Sequence, residues 1–350
     1  MNRKEHKGRK VRRENAYYAI VQYGAYKQRN GQNFPLWDTS RHGAGKGYFE
    51  DSLYRRKPMT TTTAEEFLGM VYAVLEEKGE VSNSNFVTLA MMLAMQEARI
   101  DAIELLVDKG CLDIEWQGPD GETFMHEAAS GGHVAAMKWM KEEKHLDVNA
   151  QKKDGSMPIH LAADCGCIDA VKWLLDNGAD VDAKGTKDRT PLHYAAWKGN
   201  IDVMNYLISK GANLYARDDG SAGSVGTPIT LAVMAGQTES IRCLYAWDKE
   251  IIQERDSNGQ TPMFSAAVDG KEESIICLKE LGADVDARDD KGMTALFMAV
   301  IQGQIESMKC LKDLGAQLDA KSKNGLTLLK LADMSGQTEA ADWLRANGAQ

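Results

Sequence analysis

The chain has 350 residues, of which 43% are hydrophobic and 27% are charged. Both fractions are close to those of average soluble globular proteins, which excludes wholesale disorder and leaves enough apolar material for a continuous core. The longest mostly apolar run, Phe86 to Met95, is well short of the roughly 18 residues that a membrane-spanning helix needs, so we expect no transmembrane segment.

The formal net charge of −9 conceals two regions of opposite sign. Residues 1–60 contain 14 Lys or Arg and 5 Asp or Glu, which gives +9, whereas the remaining 290 residues carry −18. This contrast predicts that a basic N-terminal arm, residues 1–62, binds an anionic surface, while the acidic remainder has different surroundings.

Six cysteines are scattered along the chain, and no secretory hydrophobic region accompanies the basic N-terminus. We therefore expect reduced thiols in an intracellular protein, with the cytoplasm favoured. A mitochondrial location stays open as the alternative. Against it, Glu5 and Glu14 interrupt the basic run and no serine precedes Ser40, both of which are atypical of a transit peptide.

The arm combines positive charge with aromatic side chains, since nine of the chain's 25 Phe, Tyr and Trp residues lie within residues 1–60. Disordered segments are poor in aromatic residues, so this composition predicts docking onto a partner. Protein subunits of a larger assembly are the favoured partner. RNA or another anionic surface is the alternative, because base stacking and phosphate neutralisation use the same residue types. The candidate docking residues are Arg9, Lys10, Arg12, Arg13, Tyr17, Tyr18, Tyr23, Tyr26, Phe34 and Trp37.

Residues 63–116 are expected to cap the N-terminal end of the structure that follows. Thr63 and Glu66 have the spacing of a capping box, which predicts a helix from Ala64 to Glu77. The segment from Leu89 to Asp113 then has the pattern of one degenerate repeat unit, in which alanine, Ala98, occupies the position that glycine has in the later units.

Residues 117–350 contain one sequence block seven times. The intervals between successive blocks are 34, 33, 37, 34, 33 and 33 residues, so the period is 33. Thr followed by Pro predicts a helix start, Ala-Ala keeps that helix thin, and a glycine nine residues after the Thr position turns the chain into a second helix. The blocks begin at Thr123, Met157, Thr190, Thr227, Thr261, Thr294 and Thr327.

These blocks, their period and the closing element Gly178-Ala179-Asp180 resemble the ankyrin-repeat family over about residues 84–350. The resemblance implies an all-α solenoid of seven to eight helix-turn-helix repeats with β-hairpin loops, preceded by an extended arm. It also implies a non-catalytic protein–protein interaction scaffold or an accessory subunit of a large assembly. A nucleic-acid-associated adaptor, with the basic arm on RNA, is the alternative function.

No residue pattern supports catalysis or a cofactor. The stretch Arg41–Gly47 is not a phosphate-binding loop, because Gly47 fills the position that needs a hydroxyl side chain. His126, His160 and His193 share one repeat position, which the resemblance assigns to hydrogen bonds within and between hairpins. We therefore expect no enzyme activity, no cofactor, no bound metal and no small-molecule substrate.

The fourth repeat departs from the others in two ways. It has Thr230 where the first three repeats have histidine. The hairpin before it, Arg217 to Gly226, is four residues longer than the period allows. We expect an insertion at the tip of this hairpin.

The resemblance also places the binding surface, because ankyrin repeats generally hold partners at the hairpin tips and at residues just before the first-helix glycine, on the concave side. That position is polar in the first two repeats, at Ser130 and Asp164, and apolar in the next five. A contiguous exposed apolar stripe is typical of a recognition site. The alternative is that these side chains pack inward. The candidate residues are Trp197, Met234, Val268, Ile301 and Met334, with the hairpin residues Met293 and Leu326 beside them.

The charge and aromatic content of the arm predict that it drives assembly. We expect deletion of Met1 to Lys57 to leave folded repeats that no longer join their complex, because the basic and aromatic docking groups are removed while the repeat core is intact. Co-sedimentation of the truncated and full chains with the native complex measures this. Equal co-sedimentation of both would contradict a docking role.

Overall fold

The computed structural model of the protein describes residues 94–95, 98–108, 112–220 and 226–349. The N-terminal arm, the helix predicted at 64–77 and most of the insertion before repeat four lie outside these residues. Within them the chain forms fifteen α-helices and two short 3₁₀-helices, with a single antiparallel bridge between Lys321 and Thr327 and no strand. This confirms the predicted all-α repeat architecture.

The helices alternate between two kinds. The first complete helix is α1 (Ile100–Asp108), and each of the seven repeats then contributes a first helix and a second helix. The first helices are α2 (Phe124–Ser130), α4 (Pro158–Asp164), α6 (Pro191–Lys198), α8 (Pro228–Met234), α10 (Pro262–Val268), α12 (Ala295–Gln302) and α14 (Leu328–Met334). The second helices are α3 (Val134–Glu142), α5 (Ile168–Asp176), α7 (Ile201–Ser209), α9 (Thr238–Trp247), α11 (Glu272–Glu280), α13 (Ile305–Asp313) and α15 (Thr338–Ala346).

The first helices begin where the sequence predicts. In each repeat the Thr position, or Met157 in repeat two, has an extended backbone and precedes the first helical residue. Proline occupies that first position in four of them, where its missing N–H has no helical partner to lose.

The turn between the two helices requires a left-handed residue, and glycine supplies it in all seven repeats, as at Gly303 with φ +68°. The degenerate unit makes the same turn with alanine, since Ala98 has φ +52°. The backbone N–H of Arg99 donates to the carbonyl of Ala94, as the residue after the turn glycine does to the carbonyl five residues earlier in repeats two to seven. The predicted equivalence of Ala98 with those glycines is therefore confirmed.

The described helices cluster into two compact units: one contains α1 and α3, and the other contains α2 and α4 to α15. In the second unit each first helix packs against the next first helix, and each second helix from α5 to α11 packs against the next second helix. The paired small residues, such as Ala195 and Ala196, are fully buried and allow this close approach. The second helices add buried Val, Ile, Leu and Met side chains to the core.

Histidines tie the hairpins of the first four repeats together. Nε2–H of His160 donates to the carbonyl of Ala183 at 2.8 Å, and Nδ1 accepts from the backbone N–H of Met157 at 3.0 Å. His126 and His193 make the same two bonds, to the carbonyls of Ser156 and Gly226 and from their own Thr N–H groups. Each histidine therefore joins its helix start to the next hairpin.

Three arginines take over this function where the histidines stop. The histidine position holds Thr230 in repeat four and the fully buried Phe264 and Phe297 in repeats five and six. In the adjoining hairpins Nη2–H of Arg217 donates to the carbonyl of Arg255 at 3.0 Å. Further donors are Nη1–H of Arg255, to the carbonyl of Arg288 at 2.7 Å, and Nη1–H of Arg288, to the carbonyl of Lys321 at 2.8 Å.

The end of repeat four differs from the predicted Gly-Ala-Asp closure. After α9 the chain forms a 3₁₀-helix, Lys249–Gln253, whose Ile251 and Ile252 side chains are buried. A carboxylate oxygen of Asp248 accepts from the backbone N–H of Glu250 and caps this helix. In repeat four this 3₁₀-helix, with its two buried isoleucines, therefore stands in place of the Gly-Ala-Asp element that ends other second helices.

The buried histidines predict a specific pH dependence. Burial lowers the pKa of His126 and His193 to about 4, so the folded state favours the neutral ring. Their stabilising contribution is complete above the unfolded pKa near 6.5 and falls as the pH drops towards 4, by up to about 1.4 kcal/mol per pH unit for each ring. His193→Phe introduces the residue that this chain already has at Phe264 and Phe297. It should flatten the slope of unfolding free energy between pH 6.5 and 4.

Urea unfolding at several pH values measures this slope. His145→Asn, at an exposed histidine, is the control for the loss of a histidine side chain. Glu127, whose pKa burial raises to about 7, contributes with the opposite sign in all three proteins and cancels in the comparison. A His193→Phe protein with the wild-type slope would show that this histidine is not held neutral.

Candidate partner-binding surface

The first helices of the second unit carry two parallel columns of side chains. One column is the stripe predicted from the sequence, two residues before each turn glycine. The other lies three residues earlier on the same helices, and residues three apart share one helix face. We call the two columns together the first-helix face. The second column contains Glu127, Leu161, Tyr194, Leu231, Ser265, Met298 and Leu331.

None of the predicted stripe residues is buried. Trp197 is 39% exposed and Met334 is 69% exposed, while Met234, Val268 and Ile301 are partly exposed. The hairpin residues Met293 and Leu326 are also partly exposed. Because consecutive first helices are in contact, these side chains lie on successive neighbouring helices from α6 to α14 as a row of partly exposed apolar residues.

A cleft of about 150 Å³ lies beside Trp197. Tyr194 and Trp197 of α6 and Leu231 of α8 supply its apolar walls. Asp164, Arg189 and Lys198 supply its charged rim, and His193 completes the lining. The cleft therefore lies where the two columns meet and combines an aromatic wall with polar groups, as sites for single side chains do.

Ion pairs neutralise the cleft's basic groups. Nε–H of Arg189 donates to a carboxylate oxygen of the buried Asp218 at 3.2 Å. Nζ of Lys198 lies 3.5 Å from a carboxylate oxygen of Asp164. The rim of the cleft is therefore polar without a large excess of either charge.

Side-chain amides of the following repeat hold the stripe in place. Nε2–H of Gln304 donates to the carbonyl of Val268 at 3.1 Å, and Nε2–H of Gln337 donates to the carbonyl of Ile301 at 3.0 Å. Asn200 makes the same contact with the carbonyl of Asp164 at 2.9 Å. These amides leave the stripe side chains free to face outward while their backbone is fixed.

The first-helix face carries carboxylates that are partly removed from water. Burial raises the pKa of Glu127 to about 7, and the neighbouring Glu122 adds to this shift. Burial also raises the pKa of Asp164, which Lys198 opposes, and that of Asp269. Glu127 and Asp164 lie on α2 and α4, so the N-terminal end of the face is acidic where the rest is apolar.

The remaining polar groups have structural explanations. Both ring nitrogens of His126, His160 and His193 are used in hydrogen bonds, and no three His, Cys, Asp or Glu side chains come together as metal ligands do among the described residues. Burial raises the pKa of the Cys165 thiol to about 12. This thiol is protonated at neutral pH and is a weak nucleophile.

Sequence reasoning missed the second column. The only signal available was its spacing of three residues from the stripe on a helix that the sequence already predicted. Leu231 and Leu331 are buried in this column, whereas Tyr194 and Met298 are partly exposed. The second column therefore contributes Leu231 and Leu331 to the core and adds the partly exposed Tyr194 and Met298 to the apolar surface beside the stripe.

Comparison with known families agrees with this geometry. The protein-family model described as ankyrin repeats (3 copies) matches residues 90–185, 136–218, 221–289 and 276–350. The chain belongs to the ankyrin-repeat family. Ankyrin repeats are protein–protein interaction modules and are generally non-catalytic. No curated protein sequence matches the chain significantly.

Solved structures of similar fold include ankyrin-repeat domains. The human ASB11 ankyrin repeat domain is 28% identical with a TM-score of 0.52, and the match covers 64% of this chain and 98% of that one. A chain from the complex of the Bd0816 predatory endopeptidase from Bdellovibrio bacteriovorus with the immunity protein Bd3460 is 28% identical with a TM-score of 0.47, covering 57% and 99%. In the described part of this ankyrin-repeat chain, no helix has the length and apolar character needed to cross a bilayer.

The turn glycines should differ in their tolerance of alanine. A Cβ at Gly303 would lie 2.5 Å from Oε1 of Gln337, whereas a Cβ at Gly236 would meet nothing within 4 Å. Their φ angles are similar, +68° and +74°. We expect Gly236→Ala to cost about 1–2 kcal/mol for the left-handed backbone alone. Gly303→Ala should cost about 1 kcal/mol more, because Gln337 must leave the carbonyl of Ile301.

Chemical denaturation of the two variants measures this difference. The third protein combines Gln337→Ala with Gly303→Ala. Its unfolding free energy should be only slightly below that of Gly303→Ala alone, because Gly303→Ala has already broken the bond from Gln337 to the carbonyl of Ile301. Equal costs for the two glycine variants would show that the amide does not fix the stripe backbone.

Proposed function

We propose that this ankyrin-repeat protein is a non-catalytic scaffold or accessory subunit that holds a protein partner on its first-helix face. The observation that carries the proposal is the row of five apolar stripe residues from Trp197 to Met334, all of which are at least partly exposed. Trp and Met are enriched at the centres of protein interfaces. The cleft beside Trp197 gives this surface a specific anchoring point.

The proposal assigns separate functions to the regions of the chain. Residues 1–62 are the arm that docks into the larger assembly, residues 63–116 cap the repeats, and residues 117–350 are the seven ankyrin repeats. The arm's net charge of +9 supports docking onto an acidic partner, and an intracellular, reducing compartment suits the cysteine content. The same charge supports an RNA-bound arm as the second candidate.

Salt dependence separates the two candidates for the arm. Contacts with several phosphates release counterions, so binding to RNA falls linearly in a plot of log affinity against log salt, with a slope of about −0.7 per phosphate for single strands. A peptide of residues 1–60 titrated with an unstructured RNA and with the native complex measures both slopes. Binding to RNA with a steep slope and no binding to the complex would support the adaptor.

Two substitutions on the first-helix face test partner binding. Trp197→Ala removes the aromatic wall of the cleft and should cost about 2 kcal/mol or more of binding, roughly a thirtyfold loss of affinity. Ile301→Asp places a charge in the stripe and should also weaken binding. Neither residue is buried, so we expect both variants to keep a melting temperature near that of the wild type.

Co-purification from the native source, with the retained subunits counted by mass spectrometry, measures the loss. Trp247→Ala is the matched control, because Trp247 is 48% exposed at the end of the second helix α9 and lies off the first-helix face. Reduced thermal stability of both test variants with unchanged partner retention would show that the stripe belongs to the core instead.

A further inference from the structure

We infer that the cleft beside Trp197 binds an arginine side chain of the partner. The guanidinium group lies against the rings of Trp197 and Tyr194 and faces the carboxylate of Asp164. This inference rests on the proposed function, because it names the chemistry that the partner brings to the first-helix face. Every residue that lines the cleft belongs to the second unit.

The cleft has the size and lining of a site for one side chain. Its volume is about 150 Å³, whereas sites for drug-sized ligands measure about 300 Å³ or more. Tyr194 and Trp197 are three residues apart on α6 and therefore share one helix face, and Leu231 of α8 adds to the apolar wall. A flat group with apolar faces and polar edges, such as a guanidinium, matches this lining.

Two aromatic rings beside a carboxylate favour a cation. The faces of Trp and Tyr rings attract a guanidinium or ammonium group, and Trp attracts it most strongly. The ring of Tyr194 packs edge-on against His160 at a centroid distance of 5.6 Å, which fixes its position. Trp197 is 39% exposed, so part of its ring is accessible to a partner.

The first-helix face has an excess of negative charge near the cleft. Its two columns contain the carboxylates of Glu127 and Asp164 and no lysine or arginine. Both act on one point, because burial and then the charges of Asp164 and Glu127 raise the pKa of the Cys165 thiol to about 12. Burial also raises the pKa of the two carboxyl groups, since their ionised forms lack full hydration. A cation placed against them restores part of this lost interaction.

The basic groups of the cleft leave room for this cation. Nε–H of Arg189 donates to a carboxylate oxygen of the buried Asp218, so its charge is compensated. Burial lowers the pKa of His193 to about 4, so this ring is neutral at pH 7. Lys198 is the remaining cation of the lining, and its Nζ lies 3.5 Å from a carboxylate oxygen of Asp164.

An arginine bonds to Asp164 better than Lys198 does. Their separation of 3.5 Å exceeds the roughly 2.7–2.9 Å of a charge-assisted hydrogen bond between nitrogen and a carboxylate. The side chain of Lys198 is 32% exposed, so it turns into solvent at little cost. A guanidinium bonds to both carboxylate oxygens through its planar fork while its faces stack on aromatic rings, which an ammonium group does not do.

The apolar stripe determines what accompanies the arginine. Met234 on α8 and Val268 on α10 are partly exposed on the helices that follow the cleft. Neighbouring packed helices lie about 10 Å apart, so one extended segment reaches both the cleft and these side chains. The partner therefore presents a segment in which apolar side chains follow an arginine.

Binding of short peptides to the full-length protein tests this inference. The probes are capped tripeptides with a central arginine, lysine, glutamate or citrulline between two alanines. Citrulline keeps the shape of arginine without its charge. The measured quantity is the shift of the ¹⁵N-indole NMR signal of Trp197, one of the chain's seven tryptophans, which is assigned by its loss in Trp197→Phe.

We expect the arginine tripeptide to shift this signal with a dissociation constant on the order of 1 mM, as suits a single side chain. The citrulline and glutamate tripeptides should bind at least about tenfold more weakly, because neither supplies a cation to Asp164. The lysine tripeptide should bind about threefold more weakly, because its ammonium group has no planar fork.

Variants of the cleft locate the interaction. Asp164→Asn keeps the size of the side chain but removes its charge and should weaken the arginine tripeptide about tenfold. Lys198→Met removes the competing cation and should strengthen it about threefold. Asp169→Asn on α5 is the matched control, because Asp169 also pairs with a lysine, Lys172 at 3.2 Å, and lies off the first-helix face. The indole signals of the other tryptophans show whether each variant is folded.

Any of four results would overturn the inference. They are a Trp197 signal that no tripeptide shifts, equal affinity for arginine and citrulline, equal affinity for arginine and lysine, and a preference for glutamate, which would assign the cleft to an acidic partner. Partner retention by Trp197→Ala is measured separately by co-purification. The proposed function therefore survives or fails independently of the preference for arginine.

Discussion

Each repeat of this protein is too small to bury its own apolar surface, and the hydrogen bonds that join one hairpin to the next determine how repeats align. The backbone supplies some of these bonds, as between the N–H of Lys153 and the carbonyl of Asp120 at 2.8 Å. Side chains supply the rest. Histidine side chains make these bonds up to the fourth hairpin, and arginine side chains make them beyond it. Every pair of neighbouring hairpins in the second unit is therefore joined by a side-chain hydrogen bond, which we call a histidine tie or an arginine tie.

The switch from histidine to arginine ties gives the repeats before it and the repeats after it different physical properties. A histidine tie works only while the ring is neutral, whereas an arginine tie keeps its charge at every pH that proteins encounter. The histidine ties are buried within the helix starts, and the arginine side chains lie exposed along the hairpins. The N-terminal repeats therefore depend on burial for their alignment, and the C-terminal repeats depend on solvent-facing bonds.

The sequence predicts the repeat boundaries because the responsible chemistry is local. Proline at Pro191 starts a helix and glycine at Gly199 turns the chain whatever surrounds them, and even Ala98 occupies its predicted turn. The arginine ties were not predictable, because nothing in a loop sequence indicates which carbonyl a guanidinium such as that of Arg288 will reach. The partial exposure of Trp197 was likewise undetermined, because it depends on how closely α8 packs beside α6.

The candidate surface also has one part that the sequence predicts and another that only the packing of helices determines. Its stripe comes from register alone, and all seven residues that the register and hairpins single out are at least partly exposed. The second column and the cleft beside Trp197 come only from three-dimensional packing, because the cleft has walls from α6 and α8 and a rim that includes Asp164 of α4.

Where phenylalanine occupies the histidine position, the threonine that precedes the helix loses its hydrogen-bond partner. The hydroxyl groups of Thr261 and Thr294 are buried and, within the described residues, have no hydrogen-bond partner, whereas that of Thr190 bonds to His193 at 2.9 Å. A β-branched residue still suits the extended backbone at these helix starts, so threonine fits there by shape rather than by bonding. Valine has the same shape without the hydroxyl. These two positions are therefore where the sequence is free to drift, and where descendants of this repeat array would be expected to lose threonine first.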